Sequence, residues 1–304
     1  MDTPDDYDSP WKEAVESYFP EFIAFYFPDA SRQINWARGH EFLDQELRAV
    51  VQDAELGKRF VDKLAKLALQ DGSERWVYVH LEVQGSAQAE FAERMFVYNY
   101  RLYDRYRQPV ASLAVLADST QHWRPDHFSF AVLGCKHELC FPVAKLLDYA
   151  QDQAGLYSNP NPFALVTLAH LLTQATRQDM NARFAAKWKL VQLLYQRGWG
   201  KQQVIDLFSV LDWMMRLPEQ LKRSLWHNIE VLEEQEKMRY VTSVEQIGIE
   251  KGLLQGMQQG LVQGRAEGEA YALRRLLQKR FGPLSEDVLA RLQTASIDEL
   301  ELWL

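Results

Sequence analysis

The sequence predicts an α/β core followed by an all-α C-terminal region, and three patterns carry that expectation. Two β-favouring runs flank an Asp-Gly turn near residue 71, helix-period segments stand on either side of them, and beyond about residue 143 only helical periodicity remains. A hairpin between helices, followed by further strands, indicates a sheet with helices packed on it.

The elements follow in order. Residues 11–27, WKEAVESYFPEFIAFYF, place aromatic and aliphatic side chains at mixed three and four spacing, which predicts a buried helix broken or kinked near Pro20, where a backbone donor is missing. An extended or irregular stretch runs to about residue 57. RFVDKLAKLAL and RWVYVHLEV, joined by QDGSE, then predict the hairpin. Residues 90–107 return to helical period, and Val110–Ala117 and Phe128–Gly134 predict further buried strands. The later helices are punctuated by SNPNP at 158–162 and by Gly198 and Gly200. The tail, RRLLQKRFGPLSEDVLARLQTASIDELELWL, predicts a helix stopped at Gly282 and Pro283 and another capped by Ser285. These shifts divide the chain into 1–150, a helical region at 151–243, a glycine repeat at 244–272 and a short helical module at 273–304.

The repeat consists of Gly248, Gly252, Gly256, Gly260, Gly264 and Gly268, one every fourth residue. In a helix, six glycines cost roughly 5 kcal/mol relative to alanine, which calls for a compensating close approach of another helix. Two readings stand: a homo-oligomeric helix contact, or a spacer between the helical body and the tail.

Composition narrows the function. With 47% hydrophobic residues the chain can bury a sizeable core, and its longest apolar runs, 23–27 and 163–172, are too short or too interrupted to cross a bilayer. Two cysteines and an acidic opening, MDTPDDYDSP, point to the cytoplasm. The net charge is −8, and residues 1–150 carry 16 basic against 24 acidic side chains. Affinity for nucleic acid therefore has to come from a local basic stripe, or from cations that neutralise carboxylates, and not from bulk charge.

Chemistry concentrates in the hairpin. Alternation puts His80, Glu82 and Gln84 on one face of the second strand, and Asp62, Leu64 and Lys66 together on the first. A turn centred on Gly72 gives partners whose numbers sum to 144, which sets Asp62 directly opposite Glu82. Carboxylates about 4.5–5.5 Å apart at Cβ repel unless a proton or cation lies between them. A hard divalent ion such as Mg²⁺ resolves the conflict and acidifies a bound water for attack on a phosphodiester. The bland alternative is an acidic, solvated hairpin face, with His80 an ordinary hydrogen-bonded strand residue.

VDKLAKLALQDGSERWVYVHLEVQG, followed by FAERMFVYNYRLYDRY, resembles the PD-(D/E)XK nuclease superfamily, and within it the Rpn-type branch of recombination-promoting nucleases and transposase-like proteins. The resemblance implies a restriction-endonuclease-like core, a mixed sheet flanked by helices, with metal held by Asp62 and Glu82. Gln84 stands where that superfamily carries lysine, and a glutamine brings no positive charge. Lys66 is a candidate substitute from the neighbouring strand. The opening DSPWKEAVE, with Asp8 and Lys12, is similar to the start of such proteins, and the segment from RRLLQKRFGPL is similar to a helical module found behind them. The implied function is a Mg²⁺- or Mn²⁺-dependent DNA endonuclease; the alternative is a weakly active or inactive nuclease-fold protein that assembles through its helical half.

Two features remain. Arg94, Tyr98, Arg101 and Arg105 fall within about 60° of one helix face, which makes them the candidate phosphate-binding stripe, with Tyr98 able to stack on a base. The alternative is a solvated amphipathic face. Cys135 and Cys140, with His137 between them, lack the paired spacing of a structural zinc site, and FAVLGCKHELCFPV instead predicts two buried strands with a turn.

Overall fold

The chain enters the fold as two short helices, α1 (Ser9–Ser17) and α2 (Phe19–Tyr26), that meet at Tyr18. Pro20 lies in the first turn of α2, where its missing N–H costs nothing, so the expected break near that residue becomes a helix start. In this computed structural model the described residues are 9–43, 61–82, 87–237 and 240–242, with 270–271, 273–280, 282, 284–285, 289, 291 and 303 toward the C-terminus. The side chains of 9–10, 61–62 and 74–82 fall outside that description, as do the six repeat glycines and Gln84.

After a short turn of helix α3 (Pro28–Ser31), strand β1 (His40–Phe42) leads toward the hairpin of β2 (Val61–Ala68) and β3 (Glu74–Glu82). Helix α4 (Phe91–Tyr106) follows, then β4 (Val110–Leu116). Strands β5 (His127–Val132) and β6 (Cys135–Cys140) form a ribbon of their own, and β7 (Val143–Lys145) returns to the main sheet. That sheet runs β1-β2-β3-β4-β7, antiparallel through β3 and parallel from β3 to β7. The protein is thus mixed α/β.

Both sheet faces are covered. Leu64, Ala114 and Leu116 meet Phe91, Met95, Tyr98 and Leu102 of α4, whose three and four spacing gives the helix one continuous apolar stripe. On the other face Phe19 packs on Phe42 at 5.2 Å between ring centroids, and buried Lys63 pairs with Glu16 of α1. With helices on both sides, β4 is buried from Ser112 to Leu116, and it reads as an unbroken small and apolar run.

The hairpin turn sets the register. Leu69 N–H donates to Ser73 O, Gly72 N–H donates to Leu69 O, and Gly72 sits at φ +82°. These are the marks of a three-residue loop, Gln70-Asp71-Gly72, in which the left-handed residue forms a bulge. The hairpin is therefore centred on Asp71 and not on Gly72. Asp62 pairs with His80, and the partner numbers sum to 142. The expected direct opposition of Asp62 and Glu82 is corrected to a diagonal one.

The ribbon corrects a second expectation. Strands form at 127–132 and 135–140, but they are exposed rather than buried: Val132 is 61% and Leu133 102% accessible. Leu133 (φ +50°) and Gly134 (φ +83°) make the two-residue connection, with both residues in the left-handed conformation that suits a tight hairpin. One side of the ribbon rests on α4, where Phe96 meets Phe128 at 5.2 Å and Phe130 at 6.0 Å. Among the described residues no second layer covers it, and apolar composition alone does not distinguish the two situations.

The helical region continues through α5 (Gln153–Ser158), α6 (Pro162–Ala175), α7 (Met180–Gln196), α8 (Lys201–Met214) and α9 (Glu219–Gln235). Asn161 caps α6 by accepting from Phe163 N–H, with Pro162 opening the helix. Every residue from Pro162 to Leu171 is buried, so α6 is surrounded on all sides. Phe163 meets Trp11 and Phe22 at 6.2 and 5.1 Å, and Gln174 donates to Ala117 O at the end of β4. Sheet and helices belong to one unit, Met1–Glu236. In the second unit, Lys237–Leu304, Leu273 is buried among Ala270, Leu277, Leu284 and Trp303.

Gly72→Ala places a Cβ in a left-handed position with nothing within 4 Å, so backbone strain is its sole cost. We expect a loss of about 1–2 kcal/mol in urea unfolding, with an unchanged denaturant slope.

Candidate functional site

The start of β2, the end of β3 and the end of β4 lie at one end of the sheet, because β2 runs against β3 while β4 runs with it. Two rows of paired positions cross this end. One row reads Asp62, His80, Ala114, Val143, and the next reads Glu82, Leu116, Lys145. Paired positions share a side of the pleat, so the Asp62, His80 and Glu82 backbone positions belong to the same sheet side as Leu64, Ala114 and Leu116, the side that α4 covers. Asp62 and Glu82 are diagonal neighbours, which corresponds to roughly 7–8 Å between backbone positions. Their carboxyl groups lie outside the described residues.

Lys66 does not serve this end. It pairs with Trp76, four residues and about 13 Å along β2 from Asp62. The lysine that does stand in the Glu82 row is Lys145, which sequence reading passed over. Its Nζ donates to Asp118 Oδ2 at 2.8 Å and to Trp123 O at 2.9 Å, with both charged side chains fully buried. Asp118 also accepts from Thr120 N–H. The signal available in advance was limited to an isolated acid just after β4 and an isolated base after Pro142; their meeting is a property of the parallel strands.

Aromatic packing ties this ion pair to the start of α4. Phe91 meets Trp123 at 5.4 Å and Phe141 at 6.2 Å, and Lys145 Nζ lies 5.6 Å from the Trp123 ring. Arg94, one turn further, is buried, its guanidinium donating to Gln88 and lying 5.6 Å from the Phe91 ring. The candidate stripe therefore divides. Arg94 is buried, and Tyr98, at 1% accessibility, is a core residue with no face open to a base. Arg101 is half-buried and Arg105 exposed, although Leu102 and Tyr106 beside them still pack on the core.

On the far side of β4, His170 of α6 is almost fully buried and hydrogen-bonds Gln174. Burial pushes its pKa down to about 4, opposed by a hydrogen bond to the Ala117 backbone and by the Asp118 charge. Cys135 and Cys140 are free, exposed thiols at opposite ends of β6. Among the described residues, no three His, Cys, Asp or Glu side chains are grouped so as to hold a metal ion, and no helix is long and apolar enough to cross a membrane. No family model, curated protein or solved structure matches the chain.

Lys145→Met leaves Asp118 buried without its cation and should cost about 3–5 kcal/mol in chemical unfolding; adding Asp118→Asn should recover most of that loss. His170, neutral in the folded state and basic when unfolded, favours the native chain fully above pH ~6.5 and loses that contribution as pH falls toward ~4. The urea midpoint of the wild type should drop across this window, and that part of the drop should be absent in His170→Gln.

Proposed function

We propose that the chain is a metal-dependent DNA endonuclease of the PD-(D/E)XK type, with its reacting centre at the Asp62–Glu82 end of the sheet. The observation that carries this reading is the register: Asp62 is the second residue of β2, Glu82 closes β3, and both positions fall on the same side of the pleat in adjacent rows. The mixed sheet flanked by helices supports it, being what a restriction-endonuclease-like core would have.

Two carboxylates of this kind suit a small, hard cation, which keeps most of its waters and asks for only one or two protein oxygens. Asp62 and Glu82 would hold Mg²⁺ or Mn²⁺, which supplies an acidified water and offsets charge on the phosphate. The protein's own groups do the positioning. Gln84 has an amide that can accept from a water and donate to a phosphate oxygen. Arg101 and Arg105, on the outward end of α4, are the candidates for holding the nucleic-acid backbone, and Tyr98 has no part in that contact. Recombination or transposition would follow from strand breakage of this kind.

A second reading, a weakly active or inactive nuclease-fold protein that acts in assembly, draws on one specific observation. Lys145, the lysine in the Glu82 row, is committed to Asp118 and has no exposed surface, so it does not replace the charge that Gln84 lacks.

Plasmid cleavage separates the two. With Mg²⁺ or Mn²⁺ the wild type should nick or linearise DNA, and Asp62→Ala and Glu82→Ala should each lower the rate at least 100-fold (about 2.7 kcal/mol or more of transition-state stabilisation) while leaving thermal unfolding intact. Cleavage that persists in both variants would remove the proposed centre. A wild type inert with either metal favours the assembly reading.

A further inference from the structure

The exposed ribbon has features that the sheet-end site does not use. Strand β6 pairs only with β5 among the described residues, and its residues from Cys135 to Glu138 are exposed. Among the described residues, five of the eight exposed large hydrophobics, Tyr100, Tyr103, Phe130, Val132 and Leu133, lie on α4 or the ribbon, which concentrates apolar surface in one place. We propose that β6 pairs antiparallel with β6 of a second copy, about a two-fold axis through His137, to form a four-stranded intermolecular sheet.

Backbone geometry restricts the choice of register. Along the outer edge of a strand, every second residue directs its N–H and C=O away from the existing neighbour, and two edges join only where outward residues face outward residues. For two copies of one strand, an antiparallel match then pairs positions whose numbers sum to an even value, so the two-fold axis passes through a residue. Three such axes lie near the middle of β6. An axis at Lys136 opposes two lysines, and an axis at Glu138 opposes two glutamates. An axis at His137 sets Lys136 of each copy opposite Glu138 of the other, twice over. Directly opposed like charges destabilise a strand pair and opposite charges favour it, so the charge pattern selects the His137 register.

A lone edge lysine would keep strands apart. Here Glu138, already within 2.6 Å of Lys136 in the same strand, makes the edge complementary to itself. The two sides of the ribbon also separate suitably. Phe128, Phe130 and Val132 share one face with Leu139, His137 and Cys135, and the Phe130 and His137 rings stack at 4.8 Å. A second copy extends that apolar face beside Phe130, while the four charges align on the opposite face, open to water. This contact is separate from the glycine repeat.

The test is the mass of the full chain by sedimentation equilibrium over a concentration series. Glu138→Lys and Lys136→Glu should each halve the associated mass of the wild type, with circular dichroism and thermal unfolding unchanged. An equimolar mixture of these two variants should restore the wild-type mass, because the two lysines on β6 of one chain then meet the two glutamates on β6 of the other. The doubly reversed chain should also restore it. Single variants that keep the wild-type mass, a mixture that keeps the halved mass, or a wild type that is monomeric throughout the series would each overturn the proposal.

Discussion

The register between β2 and β3 is the constraint on which the site depends. Side chains along a strand alternate with a period of two, so a change of one in the partner sum moves every residue of one strand to the wrong side, whereas a change of two preserves sides and shifts the rows. The bulged loop at Gln70-Asp71-Gly72 produces the second kind of change relative to a turn centred on Gly72. Asp62 and Glu82 keep a common side and become diagonal. A cation held there would draw on oxygens from neighbouring rows, with His80 occupying the position directly across from Asp62.

Around that register the protein arranges two layers of helix with different tasks. Helix α4 supplies the apolar stripe under the site side, and its first turn is locked to Trp123 and the Lys145–Asp118 pair. Helices α1 and α2 close the other side, and α6 holds them through Phe163 and Thr167. Because α6 also reaches β4 through Gln174, the all-helical segment is part of the same core as the sheet. The fully buried Lys145–Asp118 pair has both partners satisfied, as the cost of removing ions from water requires.

Much of the candidate site was legible in the sequence, and the errors have definite causes. The sequence placed Asp62 and Glu82 on a common side, and they keep it because the expected and observed turn centres differ by two in the partner sum, which preserves sides. The Arg94–Arg105 positions all fall in helix α4, but their burial is decided by tertiary packing: Arg94 and Tyr98 are buried, Arg101 is half-buried and Arg105 is exposed. Amphipathic periodicity gives the stripe without its direction when the stripe mixes aromatic and basic residues. The ribbon was read as buried because apolar strands look alike whether or not a second layer covers them.

The sequence by itself determined the mixed α/β class, the hairpin with its glycine turn and the break at Pro20, because each follows from a local rule of backbone donors, handedness or side-chain alternation. Tertiary structure alone decided the pairing of Asp118 with Lys145, the burial of His170 and the exposure of Phe130 and Val132. These join residues far apart in the chain, or depend on whether another layer is present. Such facts come into being only when strands lie parallel and helices choose a side, since the free energy of burying a charge or an aromatic ring is set by everything packed around it.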